Sequence, residues 1–200
     1  MSTTLFSTSV SGTIDRRAFL FMPFAFAGLV LLYSRAQRPN VPVRNEIGTG
    51  GEITVALFRP NGERTSEVRV RKLVKTEDEW KAALSASEYA VTRRKGTEPA
   101  YTGRYWETHD DGLYSCVGCG VALFRSQEKF DSGTGWPSFW APASDLNVRF
   151  AKDHALLVER TEVLCARCDA HLGHVFDDGP APTGLRYCLN SVALLFEPAA

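Results

Sequence analysis

The sequence predicts a mainly β fold, built of antiparallel sheets and entered through short helices. Three observations carry this. Beyond Gly96, short apolar runs alternate with turn residues, and no helical periodicity survives. Just before Gly96, one stretch does show helical spacing behind a capping pattern. Two Cys-x-x-Cys pairs, Cys116/Cys119 and Cys165/Cys168, each sit at a turn beside a candidate strand.

The chain of 200 residues divides unevenly along its length. Residues Met1 to Ile14 carry no charged side chain, and Asp15-Arg16-Arg17-Ala18-Phe19-Leu20 follows. Ala18 to Tyr33 is free of charge and almost wholly apolar. Sixteen residues is short for a membrane span but suits a signal-peptide core. The arginine pair before Ala-Phe-Leu resembles a bacterial twin-arginine export signal. Residues 1–36 are therefore expected to be a signal peptide or anchor, which sends the protein to the periplasm or beyond. A plain membrane anchor or a buried N-terminal helix is the alternative. Ser34-Arg35-Ala36 offers a small-x-Ala cleavage site with an arginine in its middle. If it is left uncut, the segment tethers the protein to the inner membrane, its one expected contact with a membrane. Residues 37–51, with Pro39, Pro42, Gly48, Gly50 and Gly51, read as a linker.

Residues 52–74 read as a β-hairpin extension. Ile53 to Phe58 and Glu67 to Val74 are β-rich arms around Arg59-Pro60-Asn61-Gly62-Glu63. Val68, Val70 and Leu73 against charged neighbours suit a strand with one wet face. The main domain is expected over 75–200. Thr76 stands three residues before Glu79, and Trp80, Ala83 and Leu84 follow at helical spacing. This predicts a helix from Glu77 to about Ala86, with a further turn or two over Ser87 to Lys95 closed by Gly96. Candidate strands are Leu113 to Ser115, Val121 to Phe124, Leu156 to Leu164, His174 to Phe176 and Leu185 to Phe196.

Lys plus Arg and Asp plus Glu both number 23, so the net charge is zero. This balance argues against a dedicated nucleic-acid binder. A hydrophobic content of 44% excludes a disordered chain.

The five cysteines are the informative count. The two Cys-x-x-Cys pairs, with forty-five residues between them, can present four thiolates tetrahedrally, the pattern of one structural zinc ion. Iron is the lesser alternative, and surface disulfides are another if the protein is exported. A site closed by four thiolates serves stability, which leaves Cys188 as the one cysteine without a place. Alternation along a strand puts Arg186, Cys188 and Asn190 on one face, with Leu185, Tyr187 and Leu189 on the other. Val192, Leu194 and Phe196 are expected to continue the Cys188 face as core. A lone cysteine can be a small buried hydrophobe or a nucleophile whose pKa is lowered by Arg186.

Several blocks, taken together, resemble a known family. They are Lys95-Gly96-Thr97-Glu98-Pro99-Ala100-Tyr101-Thr102-Gly103, Gly133-Thr134-Gly135-Trp136-Pro137-Ser138-Phe139, His171-Leu172-Gly173-His174-Val175-Phe176-Asp177-Asp178-Gly179-Pro180 and Arg186-Tyr187-Cys188-Leu189-Asn190-Ser191. They stand in the order found in the zinc-binding, B-type methionine-R-sulfoxide reductases, and the likeness runs from about Lys75 to Phe196. The resemblance implies antiparallel sheets in a β-tent or barrel-like arrangement. It implies Cys188 as the nucleophile that reduces methionine-R-sulfoxide through a sulfenic acid. His171 and His174 would supply protons or polarise the oxygen, although in isolation they could also be metal ligands or a structural pair. Arg186 and Asn190 would steady the thiolate. Trp136 would hold the substrate methyl group, Phe176 would line the same pocket, and Asp178 would act electrostatically.

Some members of the family carry a resolving cysteine where this chain has Thr134. No cysteine is spare here, so an external dithiol such as a thioredoxin-like protein is the expected reductant. The expected clients are oxidised proteins carrying methionine-R-sulfoxide. Two readings of other classes remain: a zinc-ribbon interaction module, and a different thiol oxidoreductase or sulfenic-acid sensor. Both methionines, Met1 and Met22, lie in the leader, so the expected catalytic domain contains none of its own substrate residue.

Overall fold

Local sequence chemistry sets the first elements. In the computed structural model, which describes residues 51–154 and 159–199, β1 (Glu52–Phe58) and β2 (Arg64–Arg71) pair as an antiparallel hairpin. Its turn closes through Gly62 N–H to the Arg59 carbonyl, with Gly62 at φ 81°, a conformation that favours glycine. The expected export segment and linker over 1–50 lie outside the described residues, as does the expected start of a strand at 156. No helix among the described residues is long and apolar enough to cross a membrane.

Two capped helices follow. In α1 (Glu77–Ala83), Thr76 and Glu79 form a reciprocal capping box. The chain breaks at Leu84, and α2 (Ala86–Arg94) restarts behind a second box made by Ser85 and Glu88. The first helix thus ends earlier than its apolar spacing suggests, because Ser85 satisfies a new N-terminus at once. Lys95, not Gly96, takes the left-handed position that ends α2, with φ 56°.

The remainder is β. β3 (Gly112–Cys116), β4 (Ala122–Arg125) and β11 (Leu194–Pro198) form a three-stranded sheet in the order β11-β3-β4. A six-stranded sheet adds β5 (Lys129–Phe130), β6 (Ser138–Phe139), β7 (Val148–Asp153), β8 (Arg160–Cys165), β9 (His171–Phe176) and β10 (Arg186–Leu189). Its order is β5-β6-β10-β9-β8-β7, antiparallel throughout. The mainly β architecture agrees with the sequence reading. Among the described residues the sheets stay open, however, with β5 and β7 at the edges, and they do not close into a barrel.

One expected element is corrected. The apolar run Leu185 to Phe196 is not a single strand. It breaks at a 3-10 turn over Ser191–Ala193, and its halves join different sheets. Val192, Leu194 and Phe196 therefore do not continue the Cys188 face. The break is held by a buried carboxylate: Glu98 accepts from the Ser191 N–H at 2.6 Å and the Val192 N–H at 3.1 Å. Those two N–H groups are thereby withheld from any strand partner.

The core lies between the two larger sheets. Tyr114 of β3, Phe124 of β4, Phe139 of β6 and Tyr187 of β10 interlock, with ring centroids 4.7 Å apart for Phe124–Phe139 and 5.1 Å for Tyr114–Phe139. Burying such a ring contributes about 1.5–3 kcal/mol. Tyr187 and Leu189 face this core, which turns Arg186 and Cys188 to the opposite face of β10. The hairpin is tied to the same body by Asn147, which is fully buried. Its side chain accepts from the Ala56 N–H and donates to the Ala56 and Ala122 carbonyls, each at 2.8 Å.

Candidate active site and metal centre

The register of three adjacent strands assembles the site around Cys188. Cys188 pairs with His174 across β9 and with Ser138 across β6, and Arg186 pairs with Phe176. These paired side chains share one face of the sheet. Gly173 makes that register possible. A Cβ there would lie 2.1 Å from the Cys188 carbonyl oxygen and 2.9 Å from the Leu189 Cα. Simple alternation would put His171 and His174 on opposite faces. An irregularity in the β8–β9 ladder, where Val163 pairs with Gly173 but Leu164 with His171, shifts that phase. The two imidazoles meet at 5.3 Å, tilted by 66°.

Each histidine has a carboxylate. His171 Nδ1 lies 2.7 Å from Glu162 Oε1, and the other oxygen of Glu162 accepts from Lys95 Nζ at 2.7 Å. Burial pushes the Glu162 carboxyl up, but its bonds to His171 and Lys95 outweigh this and hold it below the usual range. His171 Nε2 is buried with no hydrogen-bond partner. His174 Nε2 lies 2.7 Å from Asp153 Oδ2, which also pairs with Arg160 at 2.7 Å. Burial lowers the His174 pKa, and its bond to Asp153 opposes that only in part. His174 is thus biased toward the neutral imidazole.

Arg186 is held by a two-point fork to Asp178, with both bonds at 2.8 Å, and stacks 4.5 Å over the Phe176 ring. Its bond to Asp178 raises the Arg186 pKa and lowers that of the carboxyl. Cys188 is half-buried, and burial pushes its thiol up. Arg186 and the Thr134 hydroxyl oppose this, and the net shift stays upward. Trp136 donates from its indole N–H to the Glu98 carbonyl at 3.0 Å.

The other four cysteines converge elsewhere. The sulfurs of Cys116, Cys119, Cys165 and Cys168 all lie within 4.8 Å of one another, and none is in a disulfide. Bonds from its three sulfur neighbours push the Cys119 thiol far down. Tetrahedral zinc, with Zn–S of about 2.3 Å, needs sulfurs about 3.8 Å apart. The Cys116–Cys168 and Cys119–Cys165 separations of 3.6 and 3.4 Å fit such a cluster. Both knuckles fold alike: Gly120 N–H returns to the Cys116 carbonyl, and Asp169 N–H to that of Cys165. Asp169 adopts φ 54°, and Lys72 and Arg149 grip its carboxylate. Arg93 donates to the carbonyls of Cys168 and Asp169 and stacks on Trp80 at 4.6 Å.

Residues 84–198 match the family model described as the SelR domain. The chain belongs to this family, the methionine-R-sulfoxide reductases. Among the SelR relatives, the peptide methionine sulfoxide reductase MsrB of Acinetobacter baylyi is 56% identical over 62% of this chain and 88% of its own. MsrB of Hahella chejuensis is 53% identical over 64% of this chain and 92% of its own. The chloroplastic peptide methionine sulfoxide reductase B1 of Oryza sativa subsp. japonica is 58% identical over 60% of this chain and 56% of its own.

Within this SelR domain, the register brings Cys188, His174, Arg186 and Phe176 to one face, with His171 against His174. Asp178 is bonded to Arg186, and its charge also acts on Cys188. Asn190 follows directly after β10. It is buried beyond the end of β10, where it accepts from the Glu98 N–H at 3.0 Å and donates to the Leu172 carbonyl at 3.0 Å. The strand has ended there, so period-two alternation no longer applies. Sequence reasoning passed over Glu98, Glu162, Asp153 and Lys95 as site residues. Glu98 and Lys95 stood inside a block already singled out. Glu162 and Asp153 carried no signal, because only strand register places them beside the histidines.

Proposed function

We propose that this chain reduces methionine-R-sulfoxide in oxidised proteins to methionine. The observation that carries the reading is the pairing of Cys188 with His174, beside a buried His171 whose Nε2 has no partner. A sulfoxide oxygen is the kind of acceptor that nitrogen lacks. Glu162 holds Nδ1, so Nε2 of a protonated His171 is the donor for the incoming oxygen. The Cys188 thiolate attacks the sulfoxide sulfur, the oxygen passes to Cys188 with a proton, and methionine leaves. The product on the enzyme is a sulfenic acid. A first thiol of an external dithiol then displaces water and forms a mixed disulfide. Its second thiol releases Cys188, so the two electrons come from the dithiol. Arg186, steered by Asp178, offsets the thiolate charge. Trp136, anchored to the Glu98 carbonyl, and Phe176 would hold the substrate's methyl side.

Cys116, Cys119, Cys165 and Cys168 would hold one zinc ion, which supplies stability and leaves no position open for substrate. The reductant would be thioredoxin-like, and Arg16 and Arg17 would direct export.

The reading is tested with both epimers of a peptide methionine sulfoxide and dithiothreitol as reductant. The chain should turn over the R form alone, and Cys188→Ser should lower that rate at least a thousandfold, to the uncatalysed background. Turnover surviving in Cys188→Ser would overturn it. For export, Arg16→Lys combined with Arg17→Lys should leave the protein in the cytoplasm. Unchanged export would remove the twin-arginine assignment.

A further inference from the structure

Tyr101 is held in a conformation that its own burial does not explain. It is 56% exposed, yet its backbone is left-handed, with φ 64°. A residue with a Cβ keeps that conformation only when its surroundings compel it, and such outliers gather where a site must be held in place. What surrounds Tyr101 is the turn that leads into Trp136. The Tyr101 N–H donates to the Gly135 carbonyl at 2.8 Å, and its hydroxyl donates to the Gly133 carbonyl at 2.5 Å. The ring also covers Gly135, where a Cβ would lie 2.7 Å from the Tyr101 Cδ2 and backbone nitrogen. On the outside, the ring meets Trp106 edge to face at 5.3 Å.

Gly133 and Gly135 both have positive φ, at 68° and 83°. Glycines make such a turn possible but also leave it free to move. Tyr101 removes that freedom by taking two alternate carbonyls of the turn. The indole just beyond the turn is held by the same segment, since Trp136 Nε1 donates to the Glu98 carbonyl at 3.0 Å, three residues before Tyr101. Both partners are tied in turn to the chain that follows Cys188. The Glu98 N–H donates to Asn190 Oδ1 at 3.0 Å, and the Leu189 N–H donates to the Pro137 carbonyl at 3.0 Å. Hydrogen bonds thus close a ring from Tyr101, through the turn and Trp136, to the end of the strand that carries Cys188. Within that ring, the Tyr101 hydroxyl is the donor that a substitution can remove while keeping the side chain's shape.

We propose that Tyr101 is a positioning residue: its amide and hydroxyl lock the Gly133–Gly135 turn, so that the Trp136 indole keeps one place for the methyl group of the sulfoxide. The inference rests on Trp136 being the methyl-binding ring of the proposed reaction. Tyr101 itself takes no part in proton or electron transfer.

Tyr101→Phe keeps the ring and the amide bond to Gly135 and loses the bond to Gly133. The methyl group is held alike before and during attack, so the loss should appear in KM. With one hydrogen bond removed, KM for a peptide methionine-R-sulfoxide should rise about fivefold, with kcat within about twofold. In a Trp136→Phe background the same change should add nothing, because the ring that Tyr101 positions is gone. An unchanged KM in Tyr101→Phe, or an equal rise in both backgrounds, would overturn the proposal.

A second readout needs no turnover. In the full zinc-loaded chain labelled with fluorotryptophan, the fluorine resonance missing from Trp136→Phe belongs to Trp136. Tyr101→Phe should shift or broaden that resonance and leave the one from Trp80, on α1, in place. An unmoved Trp136 resonance overturns the positioning role, whatever substrate the chain turns over. The proposed reaction is tested separately by the Cys188→Ser assay. Should Trp136→Phe be too slow to yield a KM, the fluorine resonance decides.

Discussion

At the residue scale, His174 is a charge held off by its surroundings. Burial lowers its pKa, with Asp153 opposing only in part. The unfolded chain therefore takes up a proton on His174 before the folded chain does. Stability from this residue is fully present above the unfolded value of about 6.5 and is lost as pH falls through the lower folded value. Urea midpoints measured from pH 8 downward should fall below about pH 6.5. In His174→Gln that slope should flatten; an unaltered slope would mean that another group sets it. The same site shows what residue-type reasoning can reach. Cys188, His171 and Arg186 were legible because reactive residue types stood inside a motif. Glu162 and Asp153 were not, since a carboxylate in a strand is usually a solvated face. Burial and register alone turn these two into imidazole partners.

At the element scale, the contact between β9 and β10 decides the geometry. Gly173 allows the β10 backbone to pass where a Cβ would lie 2.1 Å from the Cys188 carbonyl. Gly173→Ala should cost about 3 kcal/mol in denaturant stability, at the upper end for an overpacked site. It should also lower R-sulfoxide turnover at least tenfold, because the strands carrying His174 and Cys188 must move apart. Wild-type stability in that variant would show that the ladder yields without strain. The start of the first helix was legible for a local reason, since its capping box lies within a few residues of sequence; the second box, at Ser85 and Glu88, was hidden inside the apolar spacing that carried the first helix to about Ala86. The strand break at Ser191 was hidden because its cause, Glu98, is remote in sequence and bonds through space. Short strands such as β5 and β6 were missed for a related reason: two residues cannot show a period.

At the scale of the whole molecule, the four-thiol cluster ties distant segments together. Cys116 lies on β3 of the smaller sheet and Cys165 on β8 of the larger one, so a metal held there would clamp the two sheets. The segment after the hairpin reinforces that clamp, through Lys72 to Asp169 and the Leu73 N–H to the Arg167 carbonyl. Stripping the metal with a strong chelator should therefore unfold the domain at 37 °C. Structural zinc in small domains contributes about 10–16 kcal/mol of folding free energy. Calorimetry before and after chelation, with metal analysis showing about one zinc per chain, checks this. An unchanged melting temperature would assign the cluster a lesser role.

The sequence by itself determined the fold class, the capped start of the first helix, the division of five cysteines into four and one, and the family. Those features rest on short-range periodicity, capping chemistry and motif spacing, all of which act between near neighbours in the chain. Only the tertiary structure decided that the last apolar run splits between two sheets and that Asn190 turns to Glu98. It alone placed His171 beside His174. These depend on strand register and on buried polar groups finding partners many residues away. Hydrogen-bond satisfaction in a closed core is a property of the whole packing, and no local pattern encodes it.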